Sequence, residues 1–395
     1  MAAVTHERYD PYDHSVQDDP YPVYRWLRDE SPAHWNDARR FWTLSRFDDV
    51  WEAVHDPQRF SSADGIVVGQ DLISDLSSAQ WPTMITLDPP RHDELRRLVS
   101  RAFTPRAIAA MEDDVRSIAT GLLDEVTGSA FDLVDGFSGP LPVMVIARML
   151  GVPDGDRAEF KRWSDELVQA SPDDPTTVER ALAAGSQLYR YFREAIAARN
   201  DDSGGDDLIS SLIAVREGDQ RLDEVELLGI CFLLLTAGNE TTTNLISNAV
   251  SVLTDHPEER RRCADDPTRI PAMVEEVLRF ESPVQGLART LTTDVELHGH
   301  TLAEGDKVLL LFAAANRDER EFADADRFQV GRPVERMLAF GHGIHYCLGA
   351  ALARLEARVA FEELLRRLPK VSVAGEGRRI RSGPVRGFSA LPVSA

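Results

Sequence analysis

The sequence predicts a mainly α protein with a small β portion, an α+β chain rather than an alternating βαβ enzyme. Three observations carry this. Five segments hold apolar residues at spacings of three and four: Glu94–Phe103, Ile108–Val126, Arg157–Ala170, Val178–Arg199 and Leu352–Leu368. A sixth, Asp223–His256, runs without proline for long enough to cross the whole molecule. Strand signals are fewer and clustered, at Arg40–Leu44, Val295–Leu297, Val308–Phe312 and Phe388–Val393, with turn residues at Gly299 and at Gly305 and Asp306.

Asp223 and Glu226 have the spacing of a capping box, which starts the long helix, and Pro257 ends it. Its first half (LLGICFLLL) is apolar on every side, so other helices must cover it. The loosest stretches, Ser171–Thr177 and Asn200–Asp207, are loop-sized rather than linker-sized. The expectation is one domain over residues 1–395, with a β-rich subregion built from N-terminal, 290–312 and C-terminal strands.

The chain has 395 residues, 43% of them apolar, and 44 Lys+Arg against 66 Asp+Glu leave a net charge of −22. That supplies a large core and disfavours nucleic acid or an anionic membrane as a partner. Cys231, Cys263 and Cys347 lie far apart, which excludes a disulfide framework or a multi-cysteine zinc site. The N-terminus lacks a basic start and apolar stretch, and the most apolar run, Leu227–Ala237, is shorter than the ~18 residues of a membrane span. A cytoplasmic protein without a membrane anchor is expected.

Two constellations carry chemistry. In the middle of the long helix stands TAGNETTTN, residues 236–244, a polar and weakly helix-forming patch in a core helix. Thr241 is placed to bond back to the carbonyl of Ala237, and Gly238, one turn earlier, offers a side-chain-free notch. Glu240 points about 100° away and would serve the same site through water. An acid and an alcohol beside a notch make a proton-delivery device; the plainer alternative is a partly exposed helix with ordinary Thr and Asn residues.

The second is FGHGIHYCLG, Phe340 to Gly349, running directly into an Ala/Leu/Arg helix. Gly341, Gly343 and Gly349 permit a tight turn and a close approach by something bulky. Cys347 sits where helix amides favour a thiolate. Such a group can ligate a metal, attack an electrophile, or be a buried thiol. Zinc lacks a fourth ligand, a cysteine protease lacks a partner, and a dinucleotide loop lacks its third glycine. An axial thiolate on a planar haem fits best. A third feature, Glu276 and Arg279, shares one helix face at i, i+3; it is either a solvated pair or part of a buried ion network.

Together these segments resemble the cytochrome P450 family, in its soluble bacterial form. FGHGIHYCLG is similar to the haem-binding signature, and AGNETT to the oxygen-activation motif. EVLR (Glu276 to Arg279) is similar to the family's ion pair. The resemblance implies the P450 fold, with a long central helix over a haem and the cysteine loop beneath it. It implies Cys347 as iron ligand, with Phe340, Gly341, Gly349, Ala237 and Gly238 against haem b, and Glu240 and Thr241 as the acid and alcohol. His92, Arg96, Arg289 and His345 would meet the haem propionates. Arg327, in FADADRF, would complete the ion network, although Ala325 stands where the family often has proline.

The implied reaction inserts one atom of O2 into a lipophilic small molecule. No flavin or nicotinamide domain is evident, so electrons are expected from a separate ferredoxin or flavodoxin. Arg91, Arg96, Arg97, Arg101, Arg106, Arg354 and Arg358 are expected to leave a basic docking patch for it. The resemblance also implies a substrate pocket at Ile66, Val67, Val68, Met84, Ile85, Leu234, Ala237, Val284, Gln285, Leu287, Phe388 and Ser389. Its rivals are a peroxide-driven haem-thiolate peroxygenase and a non-catalytic haem-binding protein. The Glu240–Thr241 pair argues against both.

Overall fold

The long helix starts on the expected capping box: the Glu226 amide donates to the Asp223 carboxylate at 2.8 Å, and the Asp223 amide to Glu226 at 3.0 Å. In the computed structural model, which describes residues 9–69, 83–126, 130–168, 175–201, 207–217 and 220–394, it runs from Glu224 to Asp255 over 32 residues. The loose stretches at 171–174 and 202–206 lie outside the described residues. Pro257 opens the next helix, Pro257–Asp265, because its ring is tolerated in a first turn but not in a helix interior.

The other expected helices form at Arg91–Ser100, Glu112–Glu125, Arg157–Val168, Pro175–Asp201 and Ala350–Arg367. The periodic segment 108–126 divides: Thr104 caps a short helix, Pro105–Ala109, and a new one begins at Glu112. One buried helix, Pro140–Met149, escapes a periodicity search. Seven of its ten residues are buried, so it has no polar face to define a period. It packs on the central helix, as do Pro175–Asp201, Ile270–Phe280 and Ala350–Arg367. Two apolar clusters cover the central helix, one over each half. Among the described residues, no helix is long and apolar enough to cross a membrane.

The main sheet has five strands: β1 (Ala33–Asn36), β2 (Phe41–Leu44), β3 (Phe60–Ser61), β4 (Leu287–Leu291) and β5 (Lys307–Leu310), in the order β1-β2-β5-β4-β3. Only β2 and β5 pair in parallel. The sequence pattern identifies β2 and β5 but not β4, whose last four residues are all buried and so do not alternate. β5 stops at Leu310, and Phe312 opens a short helix instead. The C-terminal signal is two strands, Phe388–Ala390 and Pro392–Ser394, which join different small sheets. β4 carries Arg289 to the edge of a large internal cavity.

Candidate functional site

Between the central helix and the cysteine loop lies a cavity of about 1500 Å³, partly open to solvent. That volume includes space open to solvent, and the lining is mostly apolar with a few polar side chains, as a small-molecule site requires. One wall carries Ala237, Gly238 and Thr241; the facing wall is the loop from Phe340 to Gly349, with Cys347.

The loop's shape follows from its glycines. Gly341 and Gly343 take φ of +62° and +67°, where a side chain is strained. A Cβ on Gly343 would come within 2.1 Å of the Val54 carbonyl oxygen. The Cys347 amide then donates to the Phe340 carbonyl at 3.0 Å, closing the turn before the helix Ala350–Arg367. Gly349 has a different role: its backbone is ordinary, and an added Cβ would meet nothing within 4 Å. It lines the cavity and presents no side chain to it. Cys347, like the rest of the loop from Phe340 to Gly349, is part-buried, and it lines the cavity. Burial pushes its thiol up, opposed by the Gly349 and Ala350 amides and by Arg96 and Arg354. The helix start alone therefore does not ionise it; a cation in the cavity would.

His92, Arg96, Arg289 and His345 come together at one corner of this cavity. His92 and His345 stack with centroids 4.4 Å apart, and the Ser62 hydroxyl lies 3.1 Å from His345 Nε2. Arg289 is only 4% exposed, yet among the described residues its guanidinium hydrogen-bonds just to the Ala288 carbonyl, at 2.7 Å. His92 Nδ1 lies 2.9 Å from an Asp93 oxygen, while its buried Nε2 has no hydrogen-bond partner among the described residues. Burial brings Arg289 down to about 10, with Asp88 opposing. Burial, followed by the charges of Arg289, His92 and Arg96, drives His345 to about 3. Two guanidiniums, those of Arg96 and the buried Arg289, converge here, and among the described residues neither has a carboxylate within hydrogen-bonding distance; a ligand bearing carboxylates supplies what is missing. With the glycine-lined loop and its thiol, the donor set fits a haem.

On the helix wall, the Thr241 hydroxyl donates to the Ala237 carbonyl at 2.8 Å, as its spacing predicts. The notch at Gly238 is not open: a Cβ there would lie 2.9 Å from Ile146 Cδ1, so the helix Pro140–Met149 fills it. Glu240 is half-buried and not among the residues lining the cavity, consistent with its turn away from Thr241. Glu356, which the sequence reading missed, does line it. It is 2% exposed and hydrogen-bonded to Thr242, and burial pushes its carboxyl up to about 8. Its sequence signal is a glutamate between Leu355 and Ala357 on the buried face of a helix.

The ion network is buried, and its third member is Arg332 rather than Arg327. Arg279, fully buried, donates from Nε and Nη2 to the two Glu276 oxygens at 2.8 Å each. Its Nη1 donates to the Asn316 and Ala325 carbonyls. Arg332 Nε reaches Glu276 at 3.2 Å, and the Gln329 amide does so at 2.8 Å. Arg327 turns its side chain outward and contributes only its carbonyl, which accepts from both arginines. Gly331, at φ +86°, makes the turn that brings Arg332 back.

Of the expected pocket residues, Met84, Ile85, Leu234, Ala237, Val284 and Leu287 line the cavity. Val67, Gln285 and Phe388 do not. Val284 faces the cavity and the next side chain, Gln285, faces the opposite way, where it accepts from the Tyr24 hydroxyl at 2.8 Å. Phe388 packs in the core under Arg379. Ser389 bonds to Arg378 at the surface, and Ile66 and Val68 lie outside the lining with Val67. The docking patch also shrinks: Arg91 pairs with Glu94 and Glu226, Arg354 with Glu275, and Arg358 with Glu112 and Glu362.

This geometry agrees with what the chain is similar to. The family model "Cytochrome P450" matches residues 38–379. Cytochrome P450 130 of Mycobacterium tuberculosis is 41% identical over 373 residues, covering 92% of this chain and 91% of that protein. The vitamin D(3) 25-hydroxylase of Pseudonocardia autotrophica is 39% identical, covering 98% and 96%. The structure of CYP109E1 from Bacillus megaterium in complex with testosterone superposes with a TM-score of 0.86 at 37% identity, covering 95% of this chain and 99% of that one. By motif, fold and kinship over nearly its whole length, this chain belongs to the cytochrome P450 family, whose members are haem-dependent monooxygenases.

Proposed function

We propose that the chain is a single-domain haem b monooxygenase that oxidises a lipophilic small molecule, with electrons delivered by a separate ferredoxin or flavodoxin. The observation that carries this reading is one thiol facing a cavity whose corner gathers Arg96 and the buried Arg289, neither bonded to a carboxylate among the described residues. Cys347 would ligate the iron, and Arg289, Arg96, His92 and His345 would receive the two carboxylates. When bound, the haem supplies the redox chemistry that activates O2 for transfer of one oxygen atom to the substrate and release of the other as water.

The chain's own residues would do the rest. Thr241 holds a hydroxyl proton at the cavity wall, tethered to Ala237. Glu240 would resupply that proton through water. Met84, Leu234, Val284 and Leu287 would exclude water and orient the substrate by shape. Relatives described as hydroxylating vitamin D or binding testosterone support a bulky apolar substrate.

The test is the visible spectrum of purified protein reduced with dithionite under carbon monoxide. A strongly red-shifted Soret band is expected from wild type and lost in Cys347→His. A Cys347→His protein with the wild-type band would overturn the assignment of Cys347.

A further inference from the structure

Pro283, Val284 and Leu287 belong to the apolar wall of the cavity, and the stretch that carries them is held entirely from its other side. Val284 forms an isolated antiparallel bridge with Val385. The Gln285 amide donates to the Pro384 carbonyl at 2.7 Å, and the Arg386 amide to the Pro283 carbonyl at 2.8 Å. Gly286 is pressed against the end of β5, where a Cβ would meet the Leu310 carbonyl oxygen at 2.6 Å. The backbone therefore cannot retreat in that direction.

The side chains tie the stretch to one face of the N-terminal helix Tyr21–Glu30. The Tyr21 hydroxyl donates to Glu281, whose other oxygen accepts from Arg386 Nε at 2.8 Å. One turn along, the Tyr24 hydroxyl donates to Gln285 Oε1 at 2.8 Å, while Gln285 Nε2 donates to the Ser282 carbonyl at 2.7 Å. Tyr24 is 2% exposed and wedged edge-on between Tyr9 and Tyr21, so its hydroxyl has little freedom. Gln285 is 4% exposed and, with Tyr24, borders a small crevice that Arg379 and Arg386 also line.

We propose that the Tyr24–Gln285 hydrogen bond is a positioning contact for substrate selection: it fixes how far Val284 and Leu287 enter the cavity, and so which lipophiles fit. Neither residue touches the cavity. Gln285 acts through its neighbour, because alternate side chains of an extended stretch face opposite ways and any tilt of one moves the other. Without the Tyr24 hydroxyl, Gln285 must turn toward another donor, and the shift passes directly to Val284. This inference rests on the reading of the apolar wall as the substrate site.

The experiment compares imidazole with 4-phenylimidazole as spectral ligands of the haem-loaded protein. Both bind iron through a ring nitrogen, but only the second carries a phenyl group into the apolar half. Wild type should favour 4-phenylimidazole; a wild type indifferent to the phenyl group would instead defeat the substrate-site reading itself. In Tyr24→Phe the preference should fall by up to about tenfold, the scale of one lost hydrogen bond, with imidazole affinity and the carbon monoxide spectrum unchanged. An unchanged preference alongside a lowered Tm would show that the bond only stabilises the fold, and would overturn the proposal. If Tyr24→Phe yields no haem protein, Gln285→Met removes the same bond from the other partner, with the same two outcomes.

Discussion

Arg279 and Arg289 are both buried arginines, ten positions apart, and they are buried in opposite ways. Arg279 has a bidentate carboxylate and three backbone carbonyls, so protein atoms balance its charge and direct its hydrogen bonds. Among the described residues Arg289 has one carbonyl, its own neighbour's, and burial, opposed by the Asp88 charge, pulls it down to about 10. A buried charge is tolerated only with partners. The first arginine is therefore complete as the chain folds, whereas the second is finished by something the chain does not encode. The contrast separates a structural ion network from a ligand site without reference to any motif.

The sharpest way to break that comparison is to remove one partner of the complete network. Glu276→Ala leaves Arg279 and Arg332 beside an empty, dry position, and should cost about 3–5 kcal/mol of stability. Urea unfolding of the haem-loaded protein measures it, with soluble yield as a second readout. A loss below about 1 kcal/mol would place the pair with ordinary surface salt bridges, contrary to its burial.

Glu356 shows a third way of burying an ionisable group, by keeping it neutral. Its carboxyl is raised from 4.5 to about 8 by burial, with only the Thr242 hydrogen bond opposing. The folded protein therefore holds a proton that the unfolded chain releases. The stability contributed is fully present below about pH 4.5, falls as pH rises, and is lost through about pH 8. Glu356→Gln has no such proton, so the stability of wild type relative to the variant should decline across this window by up to ~1.4 kcal/mol per pH unit. Parallel pH profiles for the two proteins would mean that Glu356 is ionised in the fold.

How far these features are legible in sequence follows from their locality. The cysteine loop is contiguous, and its glycines, turn and helix start can all be read within ten residues. Thr241 and Ala237 are likewise one helical turn apart. Arg332 is less accessible, because its approach to Glu276 depends on the turn at Gly331 and on which of two arginines that turn directs inward. Ile146 fills the Gly238 notch from a helix with no polar face, so neither the helix nor its reach shows in the periodicity. Pocket residues require register as well as position: Val284 and Gln285 are adjacent, and only one can face the cavity. The family resemblance gathers His92, Arg96, Arg289 and His345, which lie in three separate segments that no local pattern joins.

The incomplete arginine yields the smallest effect on the fold and the most specific one on the ligand. Arg289→Met replaces an uncompensated cation by an apolar side chain of similar length, so the haem-free protein should be unchanged or slightly more stable in urea. Haem retention should weaken by about 10–100-fold, the value of one charge-assisted hydrogen bond of roughly 1.5–3 kcal/mol. Transfer of haem to an excess of apo-globin measures it. Repeating the transfer with haem dimethyl ester, whose side chains carry no charge, sharpens the assignment. If Arg289 acts through a propionate, esterification should loosen wild type toward the variant and leave the variant little changed. Should Arg289→Met instead destabilise the haem-free protein as much as Glu276→Ala does, the two arginines would be alike, and a buried cation without protein partners could no longer be used to locate the cofactor.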